Sequence, residues 1–418
     1  MRQSQLFTKT QRSFPKEEKS INAQLLIRGG FIHKEMAGVY SFLPLGWKVL
    51  KKIENIIREE INAIDGQEIF MPVLHPKENW QKTDRWKIKE MFKLKSRAGK
   101  DYALGWTHEE IITPLVKTFV SSYKDLPQYI YQIQTKMRDE LRAKSGLLRA
   151  REFIMKDLYS FHISQEDLDN YYDKVKEAYF KIFDRCNLLP FTYLTLASGG
   201  TFSKYSHEFQ AITSAGEDII YICRQCDLAI NREIKKETPE CPACGNKSFI
   251  KKKAIEIGNI FKLGTKYSEA FKFFFKDKNS NAQPVFMGCY GIGLGRLMGT
   301  IVEIFHDDKG IIWPKSVTPY MIHLLDLTQI NKKDKAEKVY HYLIKAGFEV
   351  LYDDRLNISA GEKLVESDLI GLPFRLIVSE KTLQSESIEF KERKEKTSKL
   401  IKLKELINFL KKIKSNDF

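Results

Sequence analysis

Two stretches of this chain decide its fold: Tyr129-Ile-Tyr-Gln-Ile-Gln-Thr-Lys-Met-Arg-Asp139 and Arg149-Ala-Arg-Glu-Phe-Ile-Met-Lys-Asp-Leu-Tyr-Ser-Phe161. Apolar and polar residues nearly alternate along the first stretch, which is the pattern of a half-buried strand, and the second is again strand-like. A basic, turn-like segment from Leu141 to Gly146 separates them. We therefore predict a long antiparallel hairpin whose loop carries Arg142 and Lys144.

Helices are predicted on either side of this hairpin. Apolar residues recur at three-and-four spacing from Lys48 to Ile64, which predicts an amphipathic helix closed by Asp65-Gly66. A buried strand is predicted to follow, from Glu68 to Leu74. After the hairpin, Ser164 is placed to cap a second helix that ends near Cys186.

The pattern changes after Trp313-Pro314. Short strands alternate from there with helical stretches, which predicts an α/β domain with a mixed or parallel sheet. The last stretch, Lys391 to Phe418, has ten Lys and Arg and four Asp and Glu, with apolar residues between them. We predict a closing amphipathic helix with a solvated basic face, and a nucleic-acid-binding arm is the alternative.

Composition narrows the class of protein. The 418 residues are 43% hydrophobic and 29% charged, with 69 Lys and Arg against 54 Asp and Glu, a formal net charge of +15. These values are typical of a globular protein of two or three domains, and they exclude a collagen-like chain or a disulfide mini-scaffold. No signal-peptide pattern or apolar run of about 20 residues is present, so we predict a cytoplasmic protein without membrane contact. The excess of positive charge favours a polyanionic partner.

Four of the six cysteines form two close pairs, Cys223-Arg-Gln-Cys226 and Cys241-Pro-Ala-Cys244, separated by fourteen residues. This spacing is zinc-ribbon-like and suits tetrahedral thiolate coordination. With four cysteine ligands the site is closed, so we predict a structural Zn²⁺ in a small insert at about residues 218–253. Free thiols are the alternative.

Two further stretches contain side chains that suit the binding of phosphate and of a nucleotide base. Arg138-Asp-Glu140 ends the first hairpin strand, and Phe153 lies on the second. The Arg138 guanidinium suits a phosphate, Glu140 can accept a hydrogen bond from an adenine amino group, and Phe153 can stack on a base. A later stretch, Gly288-Cys-Tyr-Gly-Ile-Gly-Leu-Gly-Arg296, lacks the position and context of a dinucleotide-binding fingerprint, and its Arg296 offers a second guanidinium at a helix start.

Taken in order, these stretches resemble the three motifs of class II aminoacyl-tRNA synthetases, with Gly66-Gln-Glu-Ile-Phe-Met-Pro72 as the first. Further stretches resemble bacterial-type prolyl-tRNA synthetases, among them Thr107-His-Glu-Glu110, Ser206-His-Glu-Phe209 and Met287-Gly-Cys-Tyr-Gly-Ile-Gly293. Asp353-Asp-Arg355, Gly361-Glu-Lys363 and Asp368-Leu-Ile-Gly-Leu-Pro373 resemble the anticodon-binding domain of that family. The resemblance covers nearly the whole chain.

The resemblance implies an α+β architecture. Residues 1–312 would form a class II catalytic domain on an antiparallel sheet, with the four-cysteine insert, and residues 313–418 an α/β anticodon-binding domain. A homodimer is implied, with the first motif and Pro72 at its interface. The implied reaction is ATP-dependent activation of L-proline to prolyl-adenylate and transfer to the 3′ end of tRNA(Pro), with Mg²⁺ expected because several phosphate charges converge.

The same resemblance assigns site residues. Arg138 and Arg296 would be catalytic: Arg138 would bridge the proline carboxylate and the α-phosphate, and Arg296 would take the γ-phosphate. Glu140 and Phe153 would hold adenine. Proline would be bound by Thr107, Glu109, Tyr267 and Cys289, and ATP also by Arg149, Lys262 and Thr265. Arg142 would contact the tRNA acceptor stem. His207 and Glu208 lie in a matching stretch without an assigned role.

The chain departs from the family in several places. The interval from Phe209 to Ala254 is too short for the large editing domain that many bacterial members carry, so we expect a separate trans-editing hydrolase or tolerance of mischarging. Trp106 stands where the family usually has Pro, Lys144 where Arg is usual, and Asn259 where His is usual. Trp106 is expected to affect the entrance to the proline pocket.

Alternatives remain open for the function and for single residues. A sister synthetase for threonine, serine or histidine is the nearest rival, and a non-catalytic paralogue that only binds tRNA is the other. Thr107 and Glu109 could instead be a helix-capping pair. Cys289 lacks a sequence-local base, so a pocket wall is favoured over a nucleophile.

Overall fold

The structure is a computed structural model that describes residues 1–15, 18–328 and 333–415. The α-helices of this part of the chain are α1 (Ile21–Arg28), α2 (Pro44–Asn62), α3 (Lys77–Lys82), α4 (Glu109–Lys117), α5 (Gln165–Arg185), α6 (Lys266–Ala270), α7 (Leu294–Ile304), α8 (Lys333–Lys345), α9 (Ala360–Ile370), α10 (Glu380–Gln384) and α11 (Leu406–Ser415). In these ranges no helix combines the length and the apolar character that crossing a membrane requires.

The strands of the same ranges are short apart from β7, β8 and β13. They are β1 (Ile32–Met36), β2 (Val39–Phe42), β3 (Gln67–Glu68), β4 (Leu74–Pro76), β5 (Lys93–Lys95), β6 (Asp101–Leu104), β7 (Gln128–Met137), β8 (Glu152–His162), β9 (Thr192–Ser198), β10 (Tyr205–Ile212), β11 (Asp218–Cys223), β12 (Ala229–Asn231), β13 (Phe249–Gly264), β14 (Phe274–Lys276), β15 (Ala282–Pro284), β16 (Phe286–Gly293), β17 (His306–Asp307), β18 (Gly310–Ile311), β19 (Ile322–Asp326), β20 (Val350–Asp353), β21 (Phe374–Val378), β22 (Ser387–Glu392) and β23 (Lys399–Lys402).

The chain divides into two compact units. The larger comprises Lys34–Tyr40 and Ile53–Ile301, and the smaller comprises Met1–His33, Ser41–Lys52 and Val302–Phe418. The domain boundary between residues 312 and 313 stays a prediction.

The larger unit is built on a nine-stranded sheet with the order β10-β9-β12-β11-β13-β16-β8-β7-β3. Its centre is the predicted hairpin: β7 and β8 are antiparallel, with Gln128 opposite Phe161 and Met137 opposite Glu152. The hairpin prediction is therefore confirmed. β16 pairs antiparallel with β8 and β13 with β16, so motifs that lie far apart in sequence meet on adjacent strands.

Five strands of this sheet pair in a closed ring. β10 pairs with β9, β9 with β12, β12 with β11, β11 with β13, and β13 again with β10. Ile220, Ile222, Ala229 and Ala254 form a small apolar cluster among these strands. The cysteine-bearing insert thus supplies two strands of the main sheet.

Helix α5 packs its apolar side against the sheet. Its buried residues are Leu168, Tyr171, Tyr172, Val175, Ala178, Tyr179, Ile182 and Phe183. Ser164 caps the helix by accepting a hydrogen bond from the Asp167 backbone, and Cys186 follows its last residue. Both predicted ends of this helix are confirmed.

The segment after α2 corrects one expectation. The helix is confirmed, and Asp65 after its end has φ 66°, a left-handed conformation that reverses the chain. The buried strand predicted from Glu68 to Leu74 is wrong: only Gln67–Glu68 and Leu74–Pro76 at its ends are strand, and Phe70 is 78% exposed. Met71 is the buried residue of the stretch, and Ile69 is partly buried against the same apolar cluster.

The smaller unit contains a five-stranded mixed sheet in the order β20-β19-β21-β22-β23, which confirms the predicted α/β pattern. β19 is parallel to β20 and β21, and β22 is antiparallel to β21 and β23. The predicted single helix from Lys391 to Phe418 is wrong, because its first part pairs as strands and only Leu406–Ser415 is helical. Leu406 and Leu410 anchor that helix in the core, and residues 416–418 lie outside the described ranges.

Candidate functional site

One cavity of about 550 Å³ lies over strands β7, β8, β13 and β16 of the larger unit. Its lining contains seven of the residues predicted for the site: Thr107, Arg138, Glu140, Arg149, Phe153, Cys289 and Arg296. The antiparallel pairing of β8 with β7 and β16 brings these residues together, although they lie far apart in the sequence.

We call the part of the site formed by Trp106, Thr107, Glu109 and Cys289 the Glu109 end. Both oxygens of the buried Glu109 carboxylate accept hydrogen bonds: Oε2 from the Thr107 hydroxyl at 2.6 Å and Oε1 from the Cys289 thiol at 3.0 Å. The residue that caps α4 is His108, and its side chain makes no capping hydrogen bond. Thr107 and Glu109 therefore bind each other and do not cap the helix.

Arg85 completes this end, and sequence reasoning missed it. Its Nη1 donates to Glu110 at 2.9 Å and lies 3.4 Å from Glu109 Oε2, and the residue is only 4% exposed. Burial opposes the charge of Arg85, but the two carboxylates raise its pKa overall. Burial, together with the charge of Glu109, raises the pKa of Glu110 to about 7. Without an alignment, no pattern in the chain sets Arg85 apart from the other 68 basic residues.

A buried polar network supports the Glu109 end from below. Asp157 accepts hydrogen bonds from Lys136 at 2.6 Å, from Gln132 at 3.0 Å and from the Tyr159 hydroxyl at 2.8 Å. Burial alone would raise the pKa of Asp157, but the adjacent Lys136 lowers it. The Tyr159 hydroxyl in turn accepts from the His108 backbone at 3.1 Å, so the network fixes the backbone that carries Thr107 and Glu109.

His108 is neutral at pH 7. Burial and the nearby charge of Lys136 lower its pKa to about 3, and its Nε2 lies 3.1 Å from the Pro72 carbonyl oxygen. This arrangement suits a packed structural histidine.

Arg138 lies at the middle of the cavity. Its Nε donates to the Trp106 carbonyl oxygen at 3.3 Å, and its guanidinium carbon lies 4.8 Å from the Trp106 ring centre and 5.2 Å from the Phe153 ring centre. Burial, and next the charge of Arg296, lower its pKa. Among the residues that the structure describes, none accepts a hydrogen bond from the other guanidinium nitrogens, which can therefore bind an anion between the two rings.

We call the opposite part, formed by Glu208, Asp218, Glu256, Asn259 and Arg296, the Glu256 end. Arg296 Nη1 donates to both the backbone oxygen and the carboxylate of Glu256, each at 3.0 Å. Its Nε donates to the Leu148 carbonyl oxygen at 3.0 Å. The predicted helix start is confirmed, since Arg296 lies in the first turn of α7.

Within the described ranges the direct partners of Glu208 are amide donors: Gln210 at 2.9 Å, Asn231 at 3.1 Å and Asn259 at 3.4 Å. Burial, and next the charge of Glu256, raise its pKa to about 8. The pKa of Asp218 is also raised, chiefly by burial. This end therefore gathers carboxyl groups that sequence reasoning did not assign.

Three further residues have their contacts outside the two ends of the cavity. His207 lies 2.8 Å from the Tyr172 hydroxyl on α5, on the other side of the strand from Glu208. Glu140 and Arg149 form an ion pair at 2.9 Å, and Arg149 also pairs with Glu217 at 2.8 Å.

Five predicted contacts are not among the residues that line the cavity. One is Glu109, which is buried and bonded to the lining residues Thr107 and Cys289. Lys262 pairs with Asp169 at 2.8 Å, and Thr265 donates to Glu269 at 2.7 Å. Tyr267 is buried, with its ring centre 5.5 Å from the Arg85 guanidinium carbon, and Arg142 is exposed in the hairpin loop. The roles assigned to them stay predictions.

The four paired cysteines come together away from the cavity. The sulfur atoms of Cys223, Cys226, Cys241 and Cys244 all lie within 4.8 Å of one another, with 3.5 Å between Cys223 and Cys244 and between Cys226 and Cys241. Zn–S bonds of about 2.3 Å in a tetrahedron place sulfurs about 3.8 Å apart. The donor set and its spacing therefore fit Zn²⁺.

Comparison with protein families finds two matches. Residues 92–305 match the model described as "tRNA synthetase class II core domain (G, H, P, S and T)", and residues 321–413 match the model described as "Anticodon binding domain". The fold class predicted from the sequence is confirmed by these matches.

Solved structures show the same fold. Prolyl-tRNA synthetase from Cryptosporidium parvum complexed with L-proline and AMP matches with a TM-score of 0.76 at 19% identity, over 94% of this chain and 74% of that one. The same enzyme complexed with halofuginone and AMPPNP matches with a TM-score of 0.77, over 94% of this chain and 76% of that one.

Curated relatives are more similar in sequence. Proline-tRNA ligase of Moorella thermoacetica is 36% identical over 553 aligned positions, which cover 95% of this chain and 96% of the relative. Proline-tRNA ligase of Bacillus subtilis is 35% identical over 568 positions, which cover 99% of this chain and all of the relative. The chain therefore belongs to the proline-tRNA ligase family of class II aminoacyl-tRNA synthetases.

Proposed function

We propose that this protein activates L-proline with ATP and transfers the prolyl group to tRNA(Pro). The observation that carries the proposal is the position of Arg138 between two chemically different ends of one cavity. A buried carboxylate at the Glu109 end suits a secondary ammonium, and an arginine at the Glu256 end suits a terminal phosphate. Membership of the proline-tRNA ligase family identifies the amino acid as proline and the tRNA as tRNA(Pro).

In the first step an oxygen of the proline carboxylate forms a bond to the α-phosphorus of ATP. The bond from that phosphorus to the bridging oxygen breaks, and pyrophosphate leaves with the electron pair. Arg138 contacts the carboxylate and the α-phosphate and offsets the charge that gathers between them. Glu109 and Thr107 hold the ammonium and so aim the carboxylate at phosphorus.

In the second step a ribose hydroxyl at the tRNA 3′ end attacks the prolyl carbonyl carbon, and AMP leaves. No histidine of the site is needed for either step, and His108 holds backbone instead. Arg142, in the exposed hairpin loop, is the candidate contact to the acceptor stem.

Phe153 and Glu140 hold adenine, and Arg296 takes the γ-phosphate. Mg²⁺ fits the Glu256 end, because this end offers carboxylates, and the buried oxygens Gln210 Oε1 and Asn259 Oδ1 lack hydrogen-bond partners within the described part of the chain. Glu256 and Asp218 would hold the ion, which would offset phosphate charge when bound.

The four-cysteine cluster holds a structural Zn²⁺. Its four thiolates leave no open coordination position, so the ion supports the hairpin of β11 and β12 and takes no part in the reaction. Atomic absorption should find about one zinc per chain in protein purified without chelator, and Cys226→Ser should lower that content.

A homodimer is proposed on the exposed apolar residues of the first motif. Phe70 is 78% exposed and lies two residues before Pro72, so a large apolar side chain of this motif is open to a partner subunit. Sedimentation should give a dimer mass for the wild type and a shift toward monomer for Phe70→Asp.

The chain is proposed to lack editing and to rely on a separate hydrolase. The alignment with the Moorella relative is 553 positions long, 135 more than this chain has residues, so the relative contains segments that are absent here. Purified Ala-tRNA(Pro) should stay acylated in the presence of this chain alone.

ATP–pyrophosphate exchange with each of the twenty amino acids tests the proposed function. Strong exchange with proline alone is the expected result, and Arg138→Ala is the inactive control. Exchange with threonine, serine or histidine instead would mean a sister enzyme. Absence of exchange with folded protein, with and without tRNA, would mean a non-catalytic paralogue.

A further inference from the structure

Two aromatic side chains line the cavity, one within the Glu109 end and one next to it. Trp106 precedes Thr107, and Phe202 belongs to the loop between β9 and β10. Their rings are nearly parallel, with an angle of 9° and 6.0 Å between ring centres. Phe202 also packs against Phe261 on β13, with 4.8 Å between ring centres. The three rings form a continuous apolar row along the cavity wall.

Two arginines hold this row in place. The Arg138 guanidinium carbon lies 4.8 Å from the Trp106 ring centre, and Arg138 Nε donates to the carbonyl oxygen of the same residue. The Arg85 guanidinium carbon lies 4.6 Å from the Phe202 ring centre and 5.3 Å from that of Trp106. Arginine over an aromatic face is favourable, and more so where water is excluded.

The contacts of Arg85 show that it serves as an anchor. Its Nε and Nη2 have no hydrogen-bond partner among the residues that the structure describes, and the rings of Trp80 and Tyr267 lie 5.5 Å from its guanidinium carbon, in addition to the two cavity rings. One side of the guanidinium pairs with Glu110 and Glu109, and its remaining surroundings are aromatic. Arg85 thus ties the ammonium-binding carboxylate to the aromatic row.

We infer that Trp106 and Phe202 are specificity-determining residues that select the proline ring over smaller apolar amino acids. The inference rests on the proposed function and deepens it. The polar groups of the Glu109 end serve an ammonium and a carboxylate, which every amino acid carries. The flat apolar faces beside them are the part of the wall that a pyrrolidine ring contacts and that the methyl group of alanine leaves uncovered.

The expected discrimination between proline and alanine can be estimated from the apolar contacts that alanine does not make. Each methylene that an apolar pocket fails to contact is worth roughly 10–200-fold in discrimination. A chain without an editing step depends on this discrimination at the activation step. Trp106 has a second effect, since it also contacts Arg138: shortening it lowers the rate of activation for every amino acid, and only its effect on the ratio between amino acids reports selection.

The test is pyrophosphate exchange with proline and with alanine, for the wild type, Trp106→Ala, Trp106→Phe and Phe202→Leu. We expect Trp106→Ala to lower the proline-to-alanine ratio of kcat/KM by about 10-fold or more, and Phe202→Leu and Trp106→Phe by about 3-fold. Phe119→Leu is the matched control, because Phe119 is 77% exposed and does not line the cavity. Its ratio should equal that of the wild type.

The outcomes separate the inference from the proposed function. If the wild type exchanges with proline but the variants lose activity equally for both amino acids, the rings only position Arg138 and the inference is wrong. If the wild type does not exchange with proline, the proposed function fails first. Circular dichroism and thermal unfolding identify a variant that fails to fold. If Trp106→Ala does not fold, the proline-to-alanine ratio of kcat/KM for Phe202→Leu and Trp106→Phe tests the inference instead.

Discussion

The pKa values of two acids, the buried Asp157 below the Glu109 end and the half-buried Glu208 in the Glu256 end, are shifted in opposite directions. The pKa of Asp157 is lowered because the Lys136 ammonium lies 2.6 Å away. The pKa of Glu208 is raised to about 8 by burial and next by the charge of Glu256, and its amide partners carry no charge that would offset this rise. Burial disfavours the charged form of both acids, and the charge of the neighbouring group decides whether that effect is offset.

The same contrast describes the two ends of the cavity. At the Glu109 end Arg85 already accompanies the carboxylates, so the end is complete before a zwitterion enters. At the Glu256 end Arg296 is bound to Glu256, while Glu208 and Asp218 both have raised pKa values. That end gains most from a cation that arrives with the nucleotide.

The largest expected effect comes from Arg138, which serves both ends. Arg138→Lys keeps the charge but removes the planar fork, so we expect kcat in pyrophosphate exchange to fall by about 10³-fold. Arg97→Lys, an exposed change in another loop, should leave kcat unchanged. A loss below 10-fold would mean that Arg138 is not the residue at the junction of the two substrates.

The next largest effect is expected from a change at the Glu109 end, and it should weaken the use of proline without weakening nucleotide binding. Glu109→Gln removes the charge that receives the ammonium, so kcat/KM for proline should fall by about 100-fold. The dissociation constant of AMPPNP, measured by calorimetry without proline, should stay within about twofold. Glu78→Gln, an exposed change on α3, is the control. Equal losses for proline and nucleotide would contradict the separation of the two ends.

A smaller effect should be confined to the nucleotide. Phe153→Leu removes a ring that can stack on a base, and such stacking is worth about 1–3 kcal/mol, so KM for ATP should rise by about 10-fold. KM for proline should change by less than about threefold. Because the Phe153 ring also contacts Arg138, kcat is measured beside KM, and a fall in kcat alone would argue against an adenine contact.

The smallest effect is a pH dependence of stability. The pKa of Glu208 is raised in the folded protein to about 8 from its usual 4.5, so its stabilising protonation is complete below pH 4.5 and is lost as pH rises through 8. Glu208→Gln cannot lose a proton. Its unfolding free energy relative to the wild type should therefore increase with pH in urea titrations, by up to about 1.4 kcal/mol per pH unit between pH 5 and pH 8. A difference independent of pH would show that Glu208 is ionised throughout.

The hairpin, the capped helix α5 and the motif residues of the cavity could be predicted from the sequence, because each has a local pattern. Arg85 and the Lys136–Asp157 pair could not, because their partners come from distant positions and buried charge carries no periodic signal. The strand predicted at Glu68 to Leu74 failed for a related reason: an apolar run does not show whether the chain itself covers it, and Phe70 is exposed.

The closed ring of β9 to β13 limits how this segment of the chain can evolve. If the stretch that contains β11 and β12 were excised, β9 would lose a neighbour and the first half of β13 would lose its pairing, and open strand edges invite association with other chains. The loops at residues 224–228 and 235–248 lie between the strands, so they can accept inserted sequence while the ring stays closed. Insertions and deletions during evolution are therefore expected in those two loops and not in the five strands of the ring.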